Sequence, residues 1–299
     1  MTADSSRTAA VLRAGNSGAG KSGAEELGVG ELGVGELGVG ERRAVGVSVG
    51  ARVLASTLLR TWSRDPGVLI QAVVFPAFLL AMFQLVLGRI TTAIGAGQSI
   101  YGYTGLVALV GAMFGTLMTG IYLVSERESG VLGRLWTLPI PRSSFLAGRV
   151  LAEMARTLLG TVVLFAVAAL MGFRFTQGWL AGICAVLVPV VFGVGFVFVV
   201  IAIATVSQKS VVDHLGVLYL LMLFFNTGFA PISEYPGWLQ PIVRYQPMSP
   251  AIDTMTGLTE GGPIVAPFCL TVGWAVAFAL VFGVLSMRGY RRAVERGAS

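Results

Sequence analysis

The stretch that decides the fold is Ser125-Glu126-Arg127-Glu128-Ser129-Gly130, followed by Val131 to Leu138 and then Pro139-Ile140-Pro141-Arg142. An apolar run from Tyr103 to Val124 stops there, and another begins near Phe145. Three consecutive charges end a membrane span, because each costs roughly 2.5–3.5 kcal/mol at bilayer depth. Val131, Leu132, Leu135, Trp136 and Leu138 then surround Arg134. That pattern predicts about two turns of helix before the prolines end it. A short, charged, amphipathic helix between two spans suits docking of a partner.

Composition agrees with a membrane setting. Hydrophobic residues make up 55% of the chain and charged residues 12%, against about 25% charged in a soluble domain. Mean hydropathy is +0.80. The net charge of +6 rests on arginine, with 19 Arg and two Lys. The arginines fall in loops between apolar runs, which points to topology and anionic headgroups rather than to nucleic acid. His214 is the sole histidine, so a histidine-cluster metal site is excluded. Cys184 and Cys269 lie inside apolar runs and read as small packing residues, with a disulfide left open because both fall near the outer ends of their spans.

Six apolar runs approach the roughly 20 residues needed to cross a bilayer. They cover residues 68–87, 103–124, 146–171, 179–206, 215–231 and 264–287. Basic residues alternate between their loops. Arg42, Arg43, Arg52, Arg60 and Arg64 precede the first run, and Arg89 alone follows it. Arg127, Arg134, Arg142 and Arg149 cluster in the second loop, Arg174 stands alone in the third, and the fourth holds Lys209. The fifth has only Arg244, while Arg288, Arg291, Arg292 and Arg296 end the chain. The positive-inside rule then predicts six spans of a multi-pass cell-membrane protein, with both termini and the 125–145 loop cytoplasmic. The leading polar segment lacks the apolar core of a signal peptide, so the first span is expected to act as an uncleaved insertion signal.

Residues 1–46 are Gly- and Glu-rich, with a pentapeptide repeated from Glu26, Glu31 and Glu36, and are expected to be disordered. Gly15 to Ser22 matches the phosphate-loop pattern G-x-x-x-x-G-K-S. Thr8 to Ala14 before it makes a poor strand, and the glycine repeat after it cannot supply the helix whose amides would hold phosphate. The match is therefore discounted. Residues 47–65 interleave Val53, Leu54, Leu58 and Trp62 with arginines, which suits a basic helix lying in the interface or an extension of the first span. Asp65-Pro66-Gly67 breaks it.

Chemistry of other kinds is sparse. Arg149, Glu153 and Arg156, spaced i, i+4 and i+7, can pair along one helix face. They read as an ion pair orienting the helix end, or as a relay of movement from the adjacent loop. Asp213 and His214 have no third partner for catalysis, and no enzyme signature is present. Gly111 and Gly115 permit close helix approach, within one bundle or across a dimer. The last outer loop carries Pro236, Trp238, Pro241, Tyr245 and Pro247. It reads either as short helices dipping back into the outer leaflet or as ordinary interfacial anchors.

Together, several segments resemble the ABC-2 type permeases, most closely the daunorubicin/doxorubicin-resistance branch. They are Glu126-Arg127-Glu128-Ser129-Gly130 with Arg134-Leu135, Leu138-Pro139, Pro141-Arg142, Gly148-Arg149, Phe229-Ala230-Pro231, Pro236 through Pro241, Gln246-Pro247 and Gly257-Leu258. One departure is Gln246-Pro247, where many relatives have Asn-Pro. The resemblance covers about residues 47–295 and implies an all-α membrane protein with six transmembrane helices in the type V exporter-like ABC-2 permease fold. Residues 47–65 would form an interfacial elbow helix, 66–290 the permease domain and 291–299 a basic cytoplasmic tail. Glu126, Arg127, Glu128, Gly130, Leu132, Arg134 and Leu135 would belong to the cytoplasmic coupling helix that docks a separate ATPase. Short external re-entrant helices with Pro236, Trp238, Pro241 and Pro247 would cap the exit path.

Partners implied are a soluble ABC ATPase in two copies, carrying ATP and Mg, and a second permease subunit, identical or different. No cofactor is expected on this chain itself. Met113, Phe114, Met118, Phe224, Phe225 and Asn226 are candidate lining for a pathway carrying a hydrophobic drug or envelope lipid, or else packing residues. A membrane anchor without a transport cycle and a secondary carrier are the competing readings. The lack of charges near the bilayer centre argues against the carrier.

Overall fold

The structure, a computed structural model, describes residues 46–94, 100–130, 142–206 and 209–297. The Gly/Glu repeats, the Gly15–Ser22 stretch, and Leu132, Arg134 and Leu135 lie outside the described residues. Every regular element among the described residues is helical.

Helix α1 covers Val47–Arg64 and ends where Asp65 turns extended. The Asp65 carboxylate then accepts the Gly67 amide at 2.8 Å and caps α2, Pro66–Leu69, with Pro66 in its first turn. A single π-helical turn, Ile70–Val74, joins α2 to α3, Phe75–Ile94. Pro76 accounts for it: a proline has no N–H to return to the Ala72 carbonyl, so the helix widens over the preceding turn. The remaining helices are α4 (Ile100–Glu128), α5 (Arg142–Leu170), α6 (Trp179–Val206), α7 (Lys209–Phe224), α8 (Gln240–Tyr245), α9 (Met248–Thr259) and α10 (Val265–Gly297).

Among the described residues, five helices are long and apolar enough to cross a membrane: Pro66–Val86, Tyr101–Glu128, Ser143–Leu170, Trp179–Thr205 and Val265–Arg288. The fifth run of the sequence does not continue as helix to residue 231. Its helix, α7, stops at Phe224, and its apolar stretch among the described residues is Leu215–Phe224. Conversely, α4 continues through the Glu126-Arg127-Glu128 charges, which end the apolar part of the span but not the helix. The basic tail likewise belongs to α10, which continues to Gly297.

Helices α4 and α6 form the centre. Buried residues fill 72% of the α4 span and 67% of the α6 span, against 17% for the α2–α3 span and 6% for α10. Helix α6 is apolar on every side, as a helix enclosed by others must be. Tyr103, Leu106, Leu109 and Met113 of α4 meet Leu164 of α5, Phe192 and Val200 of α6, and Ile252 and Met255 of α9 in one core. Gly195 of α6 lets α10 close in: a Cβ there would lie 2.6 Å from the Ala275 backbone. Gly111 and Gly115 also serve contacts inside the chain, Gly111 against Pro76 and Gly115 against Arg156.

Candidate functional site

Four helix ends converge at the arginine-rich end of the bundle: the start of α1, the end of α4, the start of α5 and the end of α6. Helix α1 packs along α5 where Gly148 leaves room, since a Cβ there would sit 2.8 Å from Leu54 and 3.1 Å from the Ala51 carbonyl. Ser144 donates to the Val47 carbonyl at 3.3 Å. Arg127 lies 3.1 Å from both the Ala204 and Thr205 carbonyls in the last turn of α6. Those carbonyls have no amide partner further along the helix, and a cation suits that end of its dipole. Glu126 forms an ion pair with Arg149 of α5, which is buried. Gly130, at φ +73°, turns the chain out of α4.

One turn deeper lies a second set of charges. Glu153 of α5 is 2% exposed, and its carboxylate accepts hydroxyls of Thr116 at 3.0 Å and Thr119 at 2.9 Å from α4. Arg156 donates to the same carboxylate, with its Nε at 3.1 Å. The Arg156 guanidinium fills the notch that Gly115 leaves on α4, and any side chain at 115 would occupy the same volume. The α5 trio therefore does more than pair along its own face. Arg149 reaches Glu126 on α4, while Glu153 and Arg156 pair with each other and lock onto α4 through two threonines and a glycine. Gly130 and Arg142, the described residues on either side of 131–141, lie at the ends of α4 and α5 at this clamp, and Glu128 is exposed.

Neutral groups hold the opposite, proline-rich end. Asn226 is fully buried. Its Nδ2 donates to the Met222 and Leu223 carbonyls at 2.9 and 2.6 Å, and its Oδ1 accepts the Gly228 and Phe229 amides at 2.9 and 2.8 Å. One side chain thus ends α7 and forms the next turn. The Tyr235 hydroxyl lies 3.0 Å from the Phe224 and Asn226 carbonyls, and the Gln246 amide donates to the Phe225 carbonyl. Gln246, the departure from the Asn-Pro pattern, is therefore what ties α8 to the end of α7. Thr227 donates to Asp253 of α9 at 2.7 Å. Burial raises the Asp253 carboxyl above its ordinary value of 3.8, opposed by the Thr227 bond and by Arg244.

The ABC-2 type transporter family matches residues 51–259, most of the chain's described part. The chain belongs to the ABC-2 type transporter family. It is 36% identical over 259 residues to the probable doxorubicin resistance ABC transporter permease protein DrrC of Mycobacterium tuberculosis, covering 84% of this chain and 94% of that one. It is 28% identical over 249 residues to the daunorubicin resistance ABC transporter permease protein DrrB1 of Streptomyces coeruleorubidus, with 81% and 88% covered. A more distant relative is the putative transport permease ycf38 of Pyropia yezoensis, 25% identical over 211 residues. These relatives place the chain in the Drr branch of ABC-2 permeases. As a member of that family it is a multi-pass membrane transport subunit rather than an enzyme.

Within this ABC-2 permease the predicted site residues separate. Glu126, Arg127, Arg149, Glu153 and Arg156 meet at one clamp. Trp238 stands 72% exposed, Pro241 opens α8, and Pro247 precedes α9. Phe224 and Phe225 keep exposed faces beside Phe229 and Tyr235. Of the other pathway candidates, Met113 is fully buried in the core around α4, and Asn226 is buried with its side chain bonded within its own turn. Phe114 stacks on Phe75 at 5.2 Å, and Met118 is half-buried. Both cysteines are free.

Two functional features escaped sequence reasoning. One is Thr116 and Thr119, whose spacing from Gly115 gave no cue that a carboxylate on the next span would need two hydroxyls. The other is the depth of α9, where Met248, Ala251, Ile252 and Met255 are buried against α4, α6 and α10. Their i, i+3, i+4, i+7 spacing was the available signal. Between α8, α9 and α10 opens a cleft of about 600 Å³, lined by Thr227, Arg244, Asp253, Thr256, Pro267 and Leu270.

Proposed function

We propose that this chain is the permease subunit of an ATP-driven exporter, moving a hydrophobic drug or envelope lipid and powered by an ATPase on a separate chain. The observation that carries the reading is the clamp. Glu126, Arg127, Arg149, Glu153 and Arg156, on either side of segment 131–141, join α4, α5 and α6, so a push on that segment would be passed to three spans at once. Buried ion pairs cost desolvation and add little stability over apolar packing. Their retention inside an otherwise apolar bundle fits a role in transmitting movement.

In this reading both termini and the clamp are cytoplasmic, and α1 is an interfacial elbow. Helix α7 with the turn after it completes a sixth span. Helices α8 and α9 re-enter the outer leaflet beneath Pro236, Trp238, Pro241 and Pro247, capping the exit. Leu132, Arg134 and Leu135 contact the ATPase, which carries ATP and Mg. Two permease subunits and two ATPase subunits complete the exporter. Phe224, Phe225, Phe114 and Met118 remain the candidates for lining the path between permeases. The relatives named for doxorubicin and daunorubicin resistance support a hydrophobic drug as cargo.

Co-purification with a candidate soluble ABC ATPase tests the reading. Substituting Glu126 or Arg134 with Ala should weaken assembly or ATPase stimulation. If both substitutions leave both measurements unchanged, docking at this segment is wrong.

A further inference from the structure

Between α5 and α6 a groove of about 550 Å³ opens on the side of the bundle, and no part of the mechanism above uses it. Leu158, Val162, Phe165 and Ala169 form one wall, a stripe that climbs about 16 Å along α5. Ile183 and Leu187 belong to the opposite wall on α6. At the upper end the Phe175 ring lies on Gly182, where a Cβ would approach it to 2.8 Å, and stacks on Phe165 with centroids 5.6 Å apart. The lining is almost wholly apolar, and it opens between two spans, so its occupant arrives from within the bilayer.

The mouth of the groove is different. Arg174, in the connection from α5 to α6, is exposed, but its guanidinium is not loose. One nitrogen donates to the Ala169 carbonyl at 3.0 Å and to the Phe173 carbonyl at 3.2 Å. Ala169 and Phe175 themselves line the groove, so the cation is fixed at its rim with Nε and the second terminal nitrogen still available. The connection is held in turn by Thr176, whose hydroxyl donates to the Thr259 carbonyl of α9 at 2.6 Å. Four residues beyond Arg174, at Gly178, begins the N-terminus of α6, whose dipole also favours negative charge. Trp179, 77% exposed, stands at the rim where an indole suits the headgroup boundary. Arg174 takes part in neither of the two ion pairs found among the described residues.

A fixed cation above an apolar, bilayer-facing groove matches one kind of molecule. We propose that this groove binds an anionic phospholipid, with an acyl chain between α5 and α6 and the phosphate on Arg174. Charge complementarity selects the lipid, since a zwitterionic headgroup offers the same phosphate with a compensating cation. The site lies away from the arginine-rich clamp and does not depend on the identity of the exported cargo. Through Thr176 and Thr259 it contacts the end of α9, so a bound lipid would also brace the outer cleft.

Native mass spectrometry of the full chain in mild detergent, titrated with phosphatidylglycerol or phosphatidylcholine, tests the proposal. One phosphatidylglycerol should bind more tightly than phosphatidylcholine. Arg174→Ala should weaken phosphatidylglycerol about tenfold, as expected for loss of a charge-assisted hydrogen bond, and weaken phosphatidylcholine less, because its ammonium already offsets part of the attraction. Ala166→Phe, an exposed groove position whose substitution only fills the space, should weaken both. Arg60→Ala, at an exposed arginine on α1, should change neither. Equal binding of the two lipids overturns the proposal. So does an Arg60→Ala loss equal to that of Arg174→Ala, which would mean attraction to charge in general. Unchanged phosphatidylglycerol binding in Arg174→Ala or Ala166→Phe would overturn it as well.

Discussion

The two ends of this bundle solve the same problem, holding helix ends together, with opposite chemistry. At the arginine-rich end, Glu126, Arg127, Arg149, Glu153 and Arg156 tie α4, α5 and α6 by charge. At the proline-rich end, Asn226, Tyr235, Gln246 and Thr227 tie α7, α8 and α9 by amides, hydroxyls and free carbonyls. The difference teaches where each end gets its rigidity. Charges in a low-dielectric interior are strong but unforgiving, because either partner left alone is very costly. A neutral network loses one bond at a time. An end that must pass on a push benefits from the first kind. An end that must shape a turn and a cleft is served by the second.

The largest effect should therefore come from Glu153→Ala. It strands Arg156 beside Gly115 and should cost about 3–5 kcal/mol, seen as a large drop in the unfolding temperature of the purified chain. Glu153→Gln, which can still meet Thr116 and Thr119, should lose less. If Glu153→Ala unfolds like the parent protein, the charged end is not the rigid clamp described. Next comes Asn226→Ala at the neutral end. Two carbonyls and two amides lose their shared partner, and about 2 kcal/mol should be lost in the same assay. A loss as large as that of Glu153→Ala would erase the contrast between the ends.

Asp253 sharpens the comparison, since it is a titrating group in the neutral network. Its raised carboxyl value means that the folded chain holds the proton more tightly than the unfolded one. Stability should then fall as pH rises from the ordinary 3.8 through the raised value, and Asp253→Asn should remove that slope. Identical pH profiles for the two proteins would show that Asp253 is not protonated preferentially on folding. Trp238→Ala should have the smallest effect. The ring is 72% exposed, and its loss should change stability by within about 0.5 kcal/mol.

Legibility in the sequence followed the same division. Charges interrupting apolar runs are rare events, so Ser125 to Arg142 and the Arg149–Glu153–Arg156 spacing stood out, and the structure gathers those that it describes. Asp65-Pro66-Gly67 was equally plain, because a proline and an Asx cap each have one local consequence. The end of α7 was hidden. Leu223 to Pro231 reads as a continuing apolar run, and only the fully buried Asn226 side chain, with four backbone partners in reach, stops the helix at Phe224. Nothing local separates an asparagine that lines a path from one that closes a turn. The depth of α9 was hidden for a related reason. Ser249, Thr254 and Thr259 look polar, but Thr254 and Thr259 return their hydroxyls to their own helix at 2.7 and 2.8 Å and so enter the core satisfied. Pairing partners on other spans, such as Thr116 and Thr119 for Glu153, depend on which helices become neighbours, which a single chain pattern does not encode.

The central claim is that the clamp passes movement between segment 131–141 and the spans. Its most direct test is ATP hydrolysis by a soluble ABC ATPase that co-purifies with this permease, reconstituted with it in lipid vesicles. Glu128 is exposed and outside the clamp's ion pairs, so Glu128→Ala combined with Arg134→Ala should leave the unfolding temperature of the permease unchanged. The account predicts that this double variant loses most of the permease-dependent stimulation of hydrolysis. Full stimulation by the double variant, with a normally folded permease, would contradict it.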